Sequence, residues 1–369
     1  MGAALLAGCA GSGSMASNDT SRGLVGGGQT EDSGQTWNVI VPQSSMESDD
    51  MVGRSVHTNH LISDRPVSRA TSPQGLSVAQ VRSAYGVPSS GGSGGIAIVD
   101  AYHYPTALND FNVFSNQYSL PTETSTSATS SSNTHFQVVY ASGSQPATDT
   151  GWAQEAALDI EWAHAMAPGA KVYLVEAASS AYTDMMAAVN VAKTLPGVKQ
   201  VSMSFGGTEA SSLYTSYNNT FLQNGVAFFA SGGDTGGQRS FPALSVNCVA
   251  VGGTSLHMSG TTYTSEAAWS GTGCGLSSFQ SRPSFQSGVT SVVGTKRGGD
   301  DIAAIADPNT GVSVYDITAS GGLVGWLVFG GTSVACPVVA GIANASGAVR
   351  ASSNAQNTAI YAKLSTSSF

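Results

Sequence analysis

The chain has 369 residues, only 10% of them charged, and a formal net charge of -9 at pH 7. That charged share lies far below the roughly 25% of average globular proteins, while 41% hydrophobic residues and 45 glycines suffice for a core with many turns. The acidic balance gives no electrostatic reason to expect nucleic-acid binding. The length fits either one large α/β domain or two smaller domains.

The first residues indicate export. Leu6-Ala7-Gly8-Cys9 ends a short apolar run and resembles the lipobox at which bacterial lipoproteins are cleaved and acylated, although an ordinary alanine-rich start is the alternative. We therefore predict a truncated signal segment over residues 1–9, with Cys9 as a candidate lipid anchor and a secreted or cell-envelope location. No later run is apolar for long enough to span a bilayer.

Residues 10–73 are rich in Gly, Ser, Thr, Asn and Asp and lack sustained hydrophobic periodicity, which predicts a flexible, low-complexity arm. Folding signals begin at Leu76. Ser77 and Gln80 form a capping box before a helical pattern, and Gly86 is placed to end that helix. We therefore assign the folded domain to residues 74–369.

Strands and helices then alternate. Short apolar strands are predicted at 96–99, 172–175, 201–205 and 226–230, and helices at 107–118, 182–194 and 213–222. This order predicts an α/β fold with a doubly wound parallel sheet and helices on both faces. Such sheets carry their chemistry at the carboxyl ends of the strands. The Ser/Thr-rich segment 122–133 interrupts the order and is predicted to be a surface loop.

A strong helix is predicted from Trp152 up to Pro168, the proline that stops it. Glu155 and Asp159 are four residues apart on it, so both carboxyl groups lie on one face. Acidic pairs usually belong to a solvated face. Here the neighbouring side chains include Trp152 and Trp162, and two carboxylates in an apolar setting are costly unless they share a proton. The pattern therefore favours a buried, proton-sharing pair.

Two glycine-rich stretches place further polar groups where strands end. Asp234 lies in Ser231-Gly232-Gly233-Asp234-Thr235-Gly236, directly after a predicted strand, and is either an Asx-turn residue or a carboxyl aimed at a cleft. Ser333 lies in Gly330-Gly331-Thr332-Ser333-Val334-Ala335-Cys336-Pro337, before a run of small apolar residues. Taken alone, such a serine is a helix cap, but a hydroxyl at a helix start is also well placed as a nucleophile.

These three motifs, in this order, resemble the sedolisin family of serine-carboxyl peptidases, which belongs to the subtilisin-like clan. The resemblance covers about residues 76–369 and implies a subtilisin-like fold and an endopeptidase that hydrolyses polypeptides in acid. It implies that Ser333 is the nucleophile, Glu155 its general base, and Asp159 the group that orients Glu155 and shares its proton. A protonated Asp234 would donate a hydrogen bond to the oxyanion. The predicted substrate-binding residues form a strand edge that pairs with the substrate backbone, namely Ser204, Phe205, Gly206 and Gly207.

Two alternatives stay open. In an ordinary Ser-His-Asp subtilisin, Asp100 would be the aspartate because it directly follows a predicted strand, but the chain lacks the His-Gly-Thr-His type of helix that supplies the base. His164 is expected on the opposite side of its helix from Glu155, and His103 in a loop. The second alternative is a catalytically inactive relative that binds peptides. We expect a monomer.

The resemblance also implies calcium, bound by an Asp-Ile/Val pair and a Gly-x-Gly-x-Asp loop near the C-terminus of the family. This sequence ends at Phe369, where that region should begin, and no other cluster has the spacing of a calcium loop. We therefore predict no cofactor and no complete metal site in this chain. Residues 10–73 are also too short and polar for the folded prodomain usual in the family. Cys248 and Cys274 could form a disulfide, and Cys336 is predicted to be a buried thiol.

Overall fold

The computed structural model describes residues 24–25, 38–64 and 72–364, so the predicted signal segment with Cys9 lies outside the described residues. The strands are, in chain order, β1 (Leu24–Val25), β2 (Val39–Ile40), β3 (His57–Thr58), β4 (Leu61–Ser63), β5 (Gly95–Ala101), β6 (Phe136–Tyr140), β7 (Lys171–Ala177), β8 (Val198–Met203), β9 (Phe205–Thr208), β10 (Ala227–Ser231), β11 (Ser240–Phe241), β12 (Val249–Ser259), β13 (Thr262–Ala268), β14 (Leu276–Ser281), β15 (Lys296–Gly298), β16 (Ile302–Ile305), β17 (Val312–Ser320) and β18 (Leu323–Gly330). The α-helices are α1 (Val78–Tyr85), α2 (Ala107–Gln117), α3 (Thr150–Met166), α4 (Tyr182–Ala192), α5 (Ser211–Tyr217), α6 (Thr290–Val293), α7 (Thr332–Ala345) and α8 (Ser353–Tyr361).

The centre of the fold is an eight-stranded sheet with the order β13-β12-β10-β8-β5-β7-β6, in which β16 also pairs with β12. All of its neighbouring strands are parallel except β13, which runs antiparallel to β12 at one edge. The predicted α/β class and the doubly wound parallel sheet are therefore confirmed, with an antiparallel edge hairpin that the sequence did not predict.

Helices cover both faces of this sheet because successive side chains of a strand point to opposite sides. In β5, Ile96 and Ile98 join a core that also contains residues of α2, α3 and α7. Ala97 and Val99 join a second core, on the face covered by α4 and α5. The two faces thus become two apolar cores, with the strand ends free to carry polar groups.

The first predicted helix forms as expected. The Ser77 side chain accepts a hydrogen bond from the Gln80 backbone, the Gln80 side chain returns the contact, and Gly86 ends α1 in the left-handed region with φ 63°. The predicted helix at 213–222 is shorter, because α5 ends at Tyr217 and a 3-10 helix, Asn218–Phe221, follows it.

The structure differs from the predicted flexible arm over residues 38–64. Strand β4 pairs with β2 and β18, and β3 pairs with β9. Val56 and Ile62 are each only 1% exposed. Pairing partners far away in the chain hold these short strands, which is why residues 38–64 show no local periodicity. This part of the arm belongs to the folded domain.

The cysteines match the prediction in part. Cys248 is a buried free thiol, so the disulfide considered between Cys248 and Cys274 is not formed, whereas Cys336 is a buried thiol as predicted.

Across the described part of the chain, no helix combines the length and the apolar character needed to cross a bilayer.

Candidate active site

Ser333 lies in the first turn of α7, directly after the end of β18. The connection is made by Gly331, whose φ of 96° is reserved for glycine. A Cβ added there would collide with the backbone oxygen of Asn59 and would come within 2.5 Å of Asp234 Oδ2. Glycine is therefore required because other polar groups crowd against the backbone beside Ser333.

The proline of this motif has a structural reason. Pro337 lies four residues after Ser333 and has no N–H to pair with the Ser333 carbonyl, so that carbonyl is free of the helix ladder. The Ser204 hydroxyl donates to it instead, over 3.4 Å, and the Ser333 hydroxyl donates to the Ser204 carbonyl over 3.1 Å. These reciprocal contacts fix the start of α7 against the end of β8.

Glu155 and Asp159 lie on α3, which runs between the central sheet and β17. Every residue of α3 from Trp152 to Met166 is buried, so a solvated acidic face is excluded. Burial raises the pKa of Glu155 well above its ordinary value, and the nearby Ser333 hydroxyl offsets part of that rise. Burial, followed by the charges of Asp100 and Glu155, raises the pKa of Asp159 as well.

Asp100 ends up beside this pair rather than beside a histidine. It lies in β5, 1% exposed, and neither of its carboxyl oxygens has a hydrogen-bond partner among the described residues. Burial raises its pKa, and the charges of Glu155 and Glu176 add to the effect. Three buried carboxyl groups without a neighbouring cation cannot all be ionised, so they retain protons at pH values where solvated carboxyl groups lose them.

The two histidines weighed from the sequence lie away from Ser333. His164 contacts the Pro121 carbonyl over 2.8 Å and packs against Phe111, and the Nδ1 atom of His103 lies 2.8 Å from Glu176. Neither is available as a base for Ser333.

Sequence reasoning missed His60. Its Nδ1 atom lies 2.8 Å from Glu155 Oε2, it is fully buried, and its ring stacks on Phe329. Burial lowers its pKa to about 3, and an interaction with the Gln154 side chain acts in the opposite direction. The one signal was the short run Val56-His57-Thr58-Asn59-His60-Leu61-Ile62, which carries apolar residues at both ends of an otherwise polar stretch.

Asp234 lies in the loop after β10, facing the start of α7. Its Oδ1 accepts hydrogen bonds from the backbone N–H of Thr332 over 2.7 Å and from the Thr332 hydroxyl over 2.9 Å. Its Oδ2 is shielded from solvent and has no partner among the described residues. Burial raises the pKa of Asp234 to about 8, although the Thr332 hydrogen bonds act in the opposite direction. Below that pH, Oδ2 carries a proton that it can donate.

The strand edge predicted to bind a substrate is in place but already paired. Phe205, Gly206 and Gly207 lie in β9, directly after Ser204. The structure pairs β9 with β11 and with β3, which comes from the chain itself. The cleft beside Ser333 is therefore filled by residues 57–62.

The carboxyl groups of the site are not arranged as metal ligands. Within the residues that the structure describes, no group of three or more His, Cys, Asp or Glu side chains is placed to hold a metal ion. The calcium that the resemblance implies would bind near the C-terminus of the family and not to the groups around Ser333, so the carboxyl groups at Ser333 act without it in the proposed chemistry.

The chain was compared with known proteins. The Subtilase family matches residues 150–361, more than half of the chain. Kumamolisin of Bacillus sp. (strain MN-32) is 34% identical over 217 residues, covering 51% of this chain and 38% of kumamolisin. Sedolisin of Pseudomonas sp. (strain 101) is 30% identical over 203 residues, covering 46% of this chain and 33% of sedolisin. The chain thus matches only 38% and 33% of the lengths of these two relatives.

The fold is similar to that of a solved structure, Pseudomonas sedolisin (serine-carboxyl proteinase) complexed with two molecules of pseudo-iodotyrostatin. The TM-score is 0.65 at 23% sequence identity, and the match covers 80% of this chain and 87% of that one. This similarity confirms the predicted subtilisin-like form of the sheet. The chain therefore belongs to the subtilase family of serine peptidases, and its similarity to kumamolisin and sedolisin confirms the predicted sedolisin type.

Proposed function

We propose that the chain is a serine-carboxyl endopeptidase that hydrolyses peptide bonds of polypeptides in acid through an acyl-enzyme on Ser333. One observation carries this proposal. The groups gathered around Ser333 are buried carboxyl groups, with Glu155 on one side and Asp234 on the other, and burial raises the pKa of both. Buried carboxyl groups that share protons can supply both a proton acceptor and a proton donor to one site.

The steps follow from these positions. Glu155 accepts the proton of the Ser333 hydroxyl while Oγ attacks the substrate carbonyl, and Asp159 shares the proton that Glu155 gains. The backbone N–H of Ser333 and the protonated Asp234 donate hydrogen bonds to the oxyanion that forms. Glu155 then returns the proton to the leaving amine, and water hydrolyses the ester on Ser333.

The pH dependence follows from Asp234. Its carboxyl group donates a hydrogen bond only while protonated, so catalysis is favoured below its pKa of about 8. Above that pH a carboxylate would face the oxyanion and repel it. The direction of this pH dependence supports an enzyme that works in acid rather than in base.

We also propose where the substrate binds and where the enzyme acts. A substrate would pair its backbone with Ser204 to Gly207, on the side of β9 that β3 occupies in this structure. The enzyme would act as an exported monomer, secreted or held at the cell envelope, with Cys9 as the candidate lipid anchor. Calcium is not part of the proposed chemistry.

The proposal is tested by incubating the wild type and Ser333→Ala with a denatured protein between about pH 3 and 8, a range that brackets carboxyl and imidazole pKa values. We expect hydrolysis by the wild type with an acid optimum, and none by Ser333→Ala. A neutral optimum would instead support the Ser-His-Asp alternative. If the wild type hydrolysed nothing, the inactive peptide-binding relative would be the better description.

A further inference from the structure

The loop that follows β10, residues 232–237, carries Asp234 and is held on one side by α7. The Thr332 backbone N–H and hydroxyl both donate to Asp234 Oδ1, and the Gly233 N–H donates to the Thr332 hydroxyl oxygen over 3.1 Å. These contacts orient the carboxyl group of Asp234, but the backbone of the loop is also held by other elements. One group that touches this backbone, Asp300, has no part in the proposed mechanism.

Asp300 lies in the connection between β15 and β16, and its carboxyl group packs against two glycines. A Cβ added to Gly232 would collide with Asp300 Oδ1, and a Cβ added to Gly252 would collide with Asp300 Oδ2. Gly232 directly follows β10, and Gly252 lies in β12, the strand that pairs with β10. The carboxyl group therefore touches both strands at the point where the Asp234 loop leaves the sheet.

The loop that follows β13 closes over the same place and is bound to Asp300. Thr272 Oγ1 donates to Asp300 Oδ2 over 2.9 Å. The next residue, Gly273, donates its N–H to the Gly233 carbonyl over 2.7 Å. Asp300 thus lies at the junction of this loop with the Asp234 loop.

The other carboxyl oxygen of Asp300, Oδ1, is shielded from solvent and has no partner among the described residues. It and the Gly273 carbonyl oxygen both lie where a Cβ on Gly232 would be. Two acceptor oxygens side by side repel each other unless the carboxyl group is protonated and donates. The position of Oδ1 therefore fits a protonated Asp300.

The charges around Asp300 agree with a protonated group. The cation whose charge acts on Asp300 is Arg297, and its guanidinium is already bound to both carboxyl oxygens of Asp301, over 2.7 Å and 2.5 Å. Burial raises the pKa of Asp300 to about 7, although the hydrogen bond from Thr272 acts in the opposite direction. In acid, Asp300 is therefore neutral.

We propose that Asp300 is a positioning residue for the oxyanion site, whose protonated carboxyl group holds the Asp234 loop so that Asp234 can donate to the oxyanion. The proposal rests on the proposed function, because that function makes Asp234 the donor. Asp300 Oδ2 keeps the hydrogen bond from Thr272, and the proton on Oδ1 faces the Gly273 carbonyl. Asp300 itself does not contact the substrate and takes no part in the proton transfers.

Replacing Asp300 should act on kcat. A small misplacement of a reacting group costs up to about 100-fold in rate, so Asp300→Ala should lose at least about 10-fold in kcat in acid. KM should be nearly unchanged. Asp300→Asn should keep most of the rate, because its amide oxygen can accept from Thr272 and its NH₂ group can donate in place of the proton. The matched control is Asp110→Ala, which removes a fully buried carboxyl group of α2 and should keep kcat.

A double-mutant cycle separates positioning from a general loss of stability. If Asp300 acts through Asp234, Asp300→Ala should cost little kcat once Asp234 has been replaced by alanine. Each kcat for peptide hydrolysis is measured in acid, at a temperature at which circular dichroism shows every variant to be folded. Losses that multiply, or an undiminished kcat in Asp300→Ala, would overturn this inference. The proposed function would still stand if Asp234→Ala alone lost its rate, whereas full activity of Asp234→Ala would overturn both.

Amide hydrogen exchange provides a readout that does not depend on activity. It is measured in the Ser333→Ala background, in which the proposed nucleophile is absent. Adding Asp300→Ala should make residues 232–237 exchange at least about 10-fold faster, and adding Asp300→Asn should leave their exchange unchanged. Equal exchange in the Asp300→Ala variant and its parent would show that Asp300 does not hold the loop.

Discussion

Replacing Asp234 by alanine is expected to lower kcat for peptide hydrolysis by about 10²- to 10³-fold, the usual cost of removing one oxyanion donor. In the proposed mechanism the carboxyl group donates to the oxyanion, and its Oδ2 lies beside Gly331 at the start of α7 with no partner among the described residues. KM should change much less, because a hydrogen bond that strengthens in the transition state acts mainly on kcat.

The matched variant is Asp234→Asn. Its amide oxygen can still accept the two hydrogen bonds from Thr332, and its NH₂ group donates at every pH. We expect this variant to keep much of the rate in acid and to lose the decline that the wild type shows as pH rises through the pKa of Asp234, about 8. The measurement is kcat and KM between about pH 3 and 9. An alanine variant with undiminished kcat would show that Asp234 does not contact the oxyanion.

The folded protein is expected to lose stability as pH rises from about 5 to 8. Among the described residues, burial raises the pKa of ten acidic side chains, so the folded state keeps protons that the unfolded chain releases. The ten are Asp100, Asp110, Glu155, Asp159, Glu161, Glu176, Asp234, Glu266, Asp300 and Asp316. Their contribution to stability is complete below the pKa values of the unfolded chain and is lost as pH rises through the folded-state values.

Two buried histidines act in the opposite sense. Burial lowers the pKa values of His60 and His164 to about 3, so the unfolded chain binds more protons at these positions and stability rises with pH. Because the acidic groups outnumber the histidines, the net slope should be negative. One proton corresponds to about 1.4 kcal/mol of unfolding free energy per pH unit.

Chemical denaturation of Ser333→Ala, which lacks the proposed nucleophile and so cannot digest the unfolded chain, measures this slope. Adding Asp316→Asn should flatten it between about pH 4 and 8, because burial raises the Asp316 pKa to about 8 and the amide does not titrate. The amide oxygen of the variant can still accept the hydrogen bond from the Thr318 N–H. The exposed carboxyl group of Asp49 provides the control, and Asp49→Asn should leave the slope unchanged. Stability that rose steadily from pH 5 to 8 would contradict the burial argument.

The sequence predicted the carboxyl pair and the serine because each depends on a local pattern. The spacing of Glu155 and Asp159 is a property of one helix, and the glycines before Ser333 mark one turn. Local patterns also placed Asp234, since the loop that carries it directly follows the strand that ends at Ser231. Where one element positions a side chain, the local pattern predicts its place, whereas the role of each group was implied by the resemblance.

The cleft segment was missed for the converse reason. Strands β3 and β4 contain two and three residues, too few for a period to be visible. Their partners, Phe205 in β9 and Phe329 in β18, are far away in the chain. The role of His60 depends on its contact with Glu155, 95 residues later, and no spacing within residues 38–64 indicates it.

The central claim is that a carboxyl group, and not an imidazole, activates Ser333. It is tested most directly by kcat between about pH 3 and 8 for Glu155→Gln and for His60→Gln, since His60 is the histidine that touches Glu155. A general base contributes about 10²- to 10⁴-fold, so Glu155→Gln should lose at least about 100-fold and His60→Gln less than about 10-fold, with its acid optimum kept. Full activity in Glu155→Gln, or a loss of about 100-fold in His60→Gln, would contradict the account.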